Sequence, residues 1–137
     1  MFTPKKSKFK KQQKGKFFNK VSGINDFNQL KFGSIGLKAM SFSRLSSKQI
    51  ETIKKVITKQ IKKMGRLIIH PFPNTPISHK PIEIRMGKGK GNIDHWVCKI
   101  KPGLILCEIV TDQTDFVRKV LTSLIKKMNI KARIIIN

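Results

Sequence analysis

An amphipathic segment in the first half of the chain constrains the fold more than any other feature. In SFSRLSSKQIETIKKVITKQIKKMG, residues 41–65, apolar residues recur three or four positions apart: Ile50, Ile53, Ile57, Ile61 and Met64. This spacing predicts a helix over residues 47–64 whose apolar side must be buried. Ser46 and Gln49 form a capping box at its start, and Gly65 fits the position after its end. The opposite side carries five lysines: Lys48, Lys55, Lys59, Lys62 and Lys63.

A second helix is predicted over residues 113–128, with Asp112 or Thr114 as its cap. Its spacing directs six apolar residues inward: Phe116, Val117, Val120, Leu121, Leu124 and Met128. Strands are predicted over residues 32–39, 66–72, 82–86, 96–101, 104–110 and 130–136. Gly33 and Gly36 in the first of these strands indicate a bend or a close approach of another backbone.

Turn chemistry separates the strands. The proline-rich stretch 73–81 predicts a loop, and Pro102–Gly103 predicts a hairpin between the two strands that flank it. Because strands and helices do not alternate, the pattern predicts an α+β fold with an antiparallel or mixed sheet and two helices. Residues 31–137 form this single domain, and residues 1–30 form a basic N-terminal extension.

The charge of the chain requires a polyanionic partner. Thirty Lys and Arg against seven Asp and Glu give a formal net charge of +23, which would repel itself in a free globular domain. In the extension, lysines alternate with phenylalanines, so we expect a segment that is disordered alone and contacts nucleic acid, with the aromatic rings stacking on bases or filling grooves. An anionic membrane surface is the alternative, although no stretch approaches the ~18 apolar residues that span a bilayer.

Residues 85–92, RMGKGKGN, predict a flexible finger that contacts phosphate. Gly87, Gly89 and Gly91 alternate with lysines, and Arg85 precedes them. The spacing is neither that of a P-loop nor that of a dinucleotide-binding loop, and a strand, not a helix, follows. Nucleotide hydrolysis and dinucleotide binding therefore lack their geometry.

Catalytic chemistry finds little support in the sequence. His70, His79 and His95 are scattered, and Cys98 and Cys107 form no CxxC pair, which favours two buried thiols in a reducing compartment. We predict no catalytic residues, no metal ligands and no cofactor. An enzyme that uses one of the two cysteines is the alternative, and it requires a reactive thiol.

The motifs resemble those of the large-subunit ribosomal protein L-sixteen family, in its bacterial and organellar form. RMGKGKGNIDHW is similar to the signature loop of that family, and further matches follow in family order: TPKKSKFKKQQKGK, FGSIGLKA, RLSSKQIE, KKMGRLIIHPFP, PISHKPIEIRMGKGKG and WVCKIKPGLILCE. Residues 17–30 and 109–137 resemble the family by pattern alone. The chain departs from the family at Ile68, where Trp is usual, and at His70, where a basic residue is common.

The resemblance implies a hammerhead-like α+β sandwich that binds rRNA near the peptidyl transferase centre and helps position tRNA. The implied partners are large-subunit rRNA, tRNA in the aminoacyl and peptidyl sites, and neighbouring large-subunit proteins. The finger role falls on Arg85, Met86, Gly87, Lys88, Gly89, Lys90 and Gly91. The role of the tail falls on Lys5, Lys6, Lys8, Lys10, Lys11, Lys14 and Lys16. Further rRNA contacts are expected at Lys38, Arg44, Lys48, Lys55, Lys59, Lys62 and Lys63.

The balance of cations bears on where the protein works. Only five of the thirty cations are arginines, and isoleucine and asparagine are frequent, as AT-rich codons favour. We therefore expect an organelle-encoded protein of a mitochondrial ribosome, with a plastid or an AT-rich bacterium as the alternatives. A free architectural nucleic-acid-binding protein is the alternative function.

Overall fold

The computed structural model describes residues 2–7, 9–13 and 29–137. These residues form an α+β fold with two helices and two antiparallel sheets, as the sequence predicts. In chain order the elements are β1 (Ile35–Ala39), β2 (Ser43–Ser46), α1 (Ser47–Ile61), β3 (Gly65–Ile69), β4 (Thr75–His79), β5 (Asn92–Ile100), β6 (Ile105–Thr111), α2 (Thr114–Lys127) and β7 (Ala132–Ile136).

The strands divide between two sheets. Sheet A has the strand order β3-β6-β1-β7, and sheet B has the order β2-β5-β4. In sheet A, Leu37 lies opposite Cys107 on one side and Ile134 on the other. The predicted hairpin between β5 and β6 is wrong, because both edges of β6 are already paired, with β1 and β3. The predicted turn does form, since the Leu104 N–H donates to the Lys101 carbonyl at 3.2 Å and Gly103 has a φ of 91°.

The proline-rich stretch is a second correction. Thr75–His79, predicted as loop, forms β4 at the edge of sheet B, where it pairs with β5. An edge strand makes ladder hydrogen bonds along one side only, so it tolerates Pro76. Residues 82–86, predicted as a strand, instead form turns and bends, and Ile82 is 98% exposed. An apolar alternating pattern yields a strand only where a partner strand is available, and β5 already lies between β2 and β4.

Helix α1 confirms the amphipathic prediction except at its end. Ser46 Oγ accepts the Gln49 N–H at 3.2 Å, and Gln49 Oε1 accepts the Ser46 N–H at 2.9 Å, completing the capping box. The helix ends at Ile61, three residues early, because Lys62 leaves the helical conformation with a φ of 49°. Met64 is therefore exposed, and Gly65 begins β3, where a Cβ would lie 2.6 Å from the Val110 carbonyl oxygen.

Helix α2 confirms most of its predicted inner side. Four of the predicted residues are buried: Val117, Val120, Leu121 and Leu124. Met128 is half-buried against the core, but Phe116 is 43% exposed, so its inward assignment is wrong. Neither Asp112 nor Thr114 caps the helix. The N-cap is Gln113, which makes no side-chain cap bond, and its own N–H donates to Thr111 Oγ1 at 3.2 Å.

The core lies where the helices meet the sheets. Helix α1 packs on α2 and on strands of both sheets, and α2 packs on β1 and β7. The fully buried residues at this junction include Ile35, Leu37, Ile57, Ile109 and Leu121. The predicted close approach is confirmed at Gly33, where a Cβ would lie 2.9 Å from the backbone of Ile109. In the described residues, no helix is long and apolar enough to cross a membrane.

Candidate nucleic-acid interface

The glycine finger follows β4 and runs, without regular structure, into β5. Residues 81–90 are all exposed. Gly87 and Gly89 adopt φ values of 99° and 76°, and a Cβ at either position would meet no atom within 4 Å, so backbone conformation explains these two glycines. Gly91 has a different reason, because a Cβ there would lie 2.5 Å from the His79 carbonyl oxygen. The finger is therefore shaped at its tip by torsion and at its base by close packing.

The described part of the tail lies against the finger. Lys11 Nζ donates to the Lys90 carbonyl at 2.7 Å, and Lys90 Nζ donates in return to the Gln12 carbonyl. Lys80 Nζ donates to the Gly87 carbonyl within the finger. These bonds bring together two basic segments that are 79 residues apart in sequence. The structure thus joins two of the predicted RNA-contacting elements into one surface.

Sheet B carries cations beside this junction. Arg44 on β2 lies directly opposite Lys99 on β5, and both line a depression with Gln12 and Lys90. Sheet B therefore adds a third basic element beside the junction of tail and finger. Lys99 and Lys80 were not predicted to lie here, since only the pairing of β5 with β2 reveals the position of Lys99 and only the bond to the Gly87 carbonyl reveals that of Lys80.

The start of the described tail lies against the exposed side of α1. The Phe2 ring packs at the margin of the core, and Lys54 Nζ lies 5.5 Å from its centroid. A depression at this contact is also lined by Lys55 and Lys59. Lysine and aromatic ring attract through the ring quadrupole, which holds the tail to the helix. The tail therefore contacts the domain at two places, α1 and the finger.

The remaining predicted residues are distributed as follows. Four further tail and finger residues are exposed: Lys5, Lys6, Lys10 and Met86. On α1 and just beyond it, exposed lysines are Lys48, Lys55, Lys59, Lys62 and Lys63, of which Lys55 pairs with Glu51 at 3.4 Å. Lys38 lies elsewhere, half-buried on β1 opposite Arg133. Lys8, Lys14 and Lys16 fall outside the described residues.

Asp94 is an acidic residue close to the base of the finger, and it is paired. Its Oδ2 atom lies 2.8 Å from His95 Nδ1, and both side chains are substantially exposed. The hydrogen bond with His95 lowers the pKa of Asp94, desolvation opposes that effect, and electrostatic attraction to His95, His79 and Lys48 adds to the lowering. The carboxylate therefore stays ionised at neutral pH and leaves the finger predominantly, but not uniformly, basic.

The two cysteines are unsuited to nucleophilic chemistry. Burial raises the pKa of the Cys107 thiol to about 12, and burial also raises the pKa of the half-buried Cys98 thiol. A thiol nucleophile needs a lowered pKa, so neither cysteine fits that role. Among the described residues, no group of three or more His, Cys, Asp or Glu could hold a metal ion.

The α+β domain carries an exposed basic finger with a basic tail docked on it, and such a surface is typical of nucleic-acid-binding proteins. The comparisons specify which kind. A family model described as "Ribosomal protein L16p/L10e" matches residues 4–135. The chain is also 43% identical, over 135 residues, to "Large ribosomal subunit protein uL16" of Chelativorans sp. (strain BNC1), covering 98% of this chain and 96% of that protein.

The chain therefore belongs to the L-sixteen family of ribosomal proteins, which confirms the resemblance seen in the sequence. Its role is structural and not enzymatic, within the large ribosomal subunit and in the service of translation. Its partners are accordingly rRNA and other ribosomal proteins. The relative is bacterial, so the comparison supports a ribosomal location and fits the bacterial alternative; it does not show a mitochondrial one.

Proposed function

We propose that this chain binds rRNA near the peptidyl transferase centre and helps position tRNA, using residues 1–30 as an RNA-contacting extension and the finger 85–92 of the 31–137 domain. The observation that carries the proposal is the reciprocal contact between Lys11 and the finger. It gathers cations from the tail, the finger and sheet B on one face. A single polyanion can therefore contact all three at once.

The physics of the contact supports rRNA as that polyanion. Each lysine placed on a phosphate releases condensed counterions, and the gain falls as salt rises. Lys11 and Lys90 each use one N–H donor on a neutral carbonyl, and an ammonium group has three, so each lysine can also bind a phosphate oxygen while the contact between tail and finger is kept. Folded rRNA is recognised mainly by shape and backbone, which suits a finger of glycine and lysine with few base-reading side chains.

A charge-reversal pair tests the finger. Lys88→Glu with Lys90→Glu should leave folding intact, because both side chains are exposed, but should weaken binding to a large-subunit rRNA fragment. The matched control is Lys119→Glu with Lys126→Glu on α2, which makes the same change in net charge at exposed positions of a helix that packs on β1 and β7. Equal losses in the two variants would show that only net charge matters, and would contradict a role for the finger.

The same binding assay distinguishes a ribosomal protein from the alternative, a free architectural nucleic-acid-binding protein. A ribosomal protein should prefer the rRNA fragment to duplex DNA of equal length by a wide margin at physiological salt. An architectural binder depends chiefly on backbone charge, so it should bind both with similar affinity and a similar salt dependence.

We also infer that the ribosome in question is mitochondrial and that the gene is organelle-encoded. The support is the excess of lysine over arginine. Arg is the better bidentate phosphate ligand, yet only five of the thirty cations are arginines. The preference for lysine is therefore better explained by AT-rich codons, as in many organellar genomes, than by RNA binding. Immunodetection in purified mitochondrial, plastid and cytoplasmic ribosomes of the source tests this. Detection in mitochondrial ribosomes supports the inference, and detection only in plastid ribosomes or only in cytoplasmic ribosomes, which include those of a bacterial source, contradicts it.

A further inference from the structure

Glu108 is a buried carboxylate in a chain that has only seven acidic residues. It lies on β6, inside sheet A, and is 1% exposed. Its Oε2 atom accepts three consecutive backbone N–H groups, from Lys31 at 3.1 Å, Phe32 at 2.8 Å and Gly33 at 2.9 Å. Its Oε1 atom lies 2.8 Å from His70 Nε2. Both oxygens are therefore engaged.

The three N–H groups belong to the segment that joins the extension to β1. Residues 31–33 lie outside any strand, so no backbone carbonyl of a neighbouring strand accepts hydrogen bonds from these three N–H groups. Three successive amides that converge on one oxygen form an anion-binding nest, here occupied by a carboxylate of the same chain. In this nest the backbone at Gly33 lies very close to β6. A Cβ at Gly33 would lie 3.0 Å from the Glu108 Cβ and closer still to the backbone of Ile109.

An acid–base role does not fit this carboxylate. A general acid or base must reach a substrate, whereas Glu108 is enclosed and its oxygens already have four partners between them. Burying a carboxylate is costly unless it is well hydrogen-bonded. The role of Glu108 therefore lies in holding the two segments that supply its hydrogen-bond partners. His70 comes from the segment after β3, and the amides come from the start of the domain.

From this geometry we propose that Glu108 is a positioning residue for RNA binding: by fixing residues 31–33, it sets where and in what direction the N-terminal extension leaves the domain. The inference rests on the proposed function, since it presumes that the lysines of the extension contact RNA. Glu108 itself touches no RNA, because it is buried. Losing it removes the hydrogen bonds that hold residues 31–33, so the extension no longer leaves the domain from a fixed point.

A cycle of variants in the full-length chain tests whether Glu108 acts on RNA binding through the N-terminal extension. Glu108→Gln keeps the shape and one acceptor oxygen, and Glu108→Ala removes both acceptors. Each is made in the native chain and in a tail-neutralised chain that carries Lys5→Gln, Lys6→Gln, Lys10→Gln and Lys11→Gln. Affinity for a large-subunit rRNA fragment is measured at several salt concentrations, and circular dichroism with thermal melting reports the folded fraction of each variant.

In the native chain we expect Glu108→Ala to weaken binding about tenfold and to make its salt dependence shallower, by roughly 0.7–0.9 in the logarithmic slope for each phosphate that the tail no longer neutralises. Glu108→Gln should recover most of the affinity, because its amide oxygen still accepts backbone N–H groups. In the tail-neutralised chain, both substitutions should leave affinity unchanged. Should Glu108→Ala fail to fold, Glu108→Gln still tests the role. Its smaller loss of affinity for the rRNA fragment should appear in the native chain and not in the tail-neutralised chain.

The outcomes distinguish two failures. If the tail-neutralised chain binds as tightly as the parent, the tail does not contact RNA, and the proposed function of the tail fails together with this inference. If the tail-neutralised chain binds more weakly but the Glu108 variants lose the same factor in both chains, or in neither, the proposed function stands and the positioning role of Glu108 is overturned.

Discussion

Ile57→Asp tests the burial on which the fold depends. Ile57 lies on the apolar side of α1, is fully buried and belongs to the core cluster. Truncating a buried isoleucine to alanine costs about 2–5 kcal/mol, and placing a carboxylate in the same apolar site adds a desolvation cost of several kcal/mol more. Because small domains have only about 5–15 kcal/mol of stability, the variant should be largely unfolded at 25 °C.

The assay is urea unfolding followed by circular dichroism at 222 nm, with two comparison variants. Ile57→Val should cost about 0.5–1.5 kcal/mol, since it removes one buried methylene. Gln60→Asp changes an exposed position of the same helix and should cost at most about 1 kcal/mol. A midpoint for Ile57→Asp close to that of the parent, or a loss for Gln60→Asp as large as that for Ile57→Asp, would refute the buried side assigned to α1.

Three further predictions concern other sites. Burial alone would raise the pKa of Glu108, but the N–H groups of Phe32 and Gly33, His70 and the Lys31 N–H together bring it below the ordinary value of 4.5. The stability that Glu108 contributes is therefore present above pH 4.5 and is lost as the pH falls through the lower pKa that Glu108 has in the folded protein. Melting temperatures measured over a series of acidic pH values should show this loss in the parent and a smaller one in Glu108→Gln. Gly91→Ala should lower the melting temperature, because the new Cβ would lie 2.5 Å from the His79 carbonyl oxygen, while the exposed control Ser123→Ala should not. Cys107 is 1% exposed, and burial raises its pKa to about 12, so it should resist a thiol reagent at pH 8 until urea unfolds the chain; rapid labelling of the native protein would contradict its burial.

The sequence predicted what depends on local pattern. The isoleucine spacing of α1 and the pairing of Ser46 with Gln49 are properties of neighbouring residues, and the structure confirms both. The close approach at Gly33 was also visible, because a glycine within a strand pattern often marks a site where another backbone comes near. The class of ligand followed from net charge, and the family comparison agrees with it.

What the sequence could not predict depends on which strands become neighbours. Residues 82–86 have strand character but lack a partner, whereas β4 contains Pro76 and pairs all the same, because it occupies an edge. Pro102 and Gly103 turn the chain, yet the strands on either side enter different sheets. Each error came from treating a local preference as if it also specified the pairing.

The candidate site shows the same limit. Its residue types were predicted, but the contact between Lys11 and Lys90 joins segments 79 residues apart, which composition cannot reveal. Glu108 offered one signal, a single acidic residue within the apolar run LILCEIV. Such a residue must find partners when the strand is buried, and the structure shows them at residues 31–33 and at His70.

The most direct test of the central claim is sedimentation of a lysate from the source through a sucrose gradient, with detection of this chain at moderate and at high salt. A protein that binds rRNA through a tail, a finger and sheet B at once should migrate with the large subunit, not the small, and should remain there when salt is raised. A chain that stays at the top of the gradient, or spreads over bulk nucleic acid, would contradict the account.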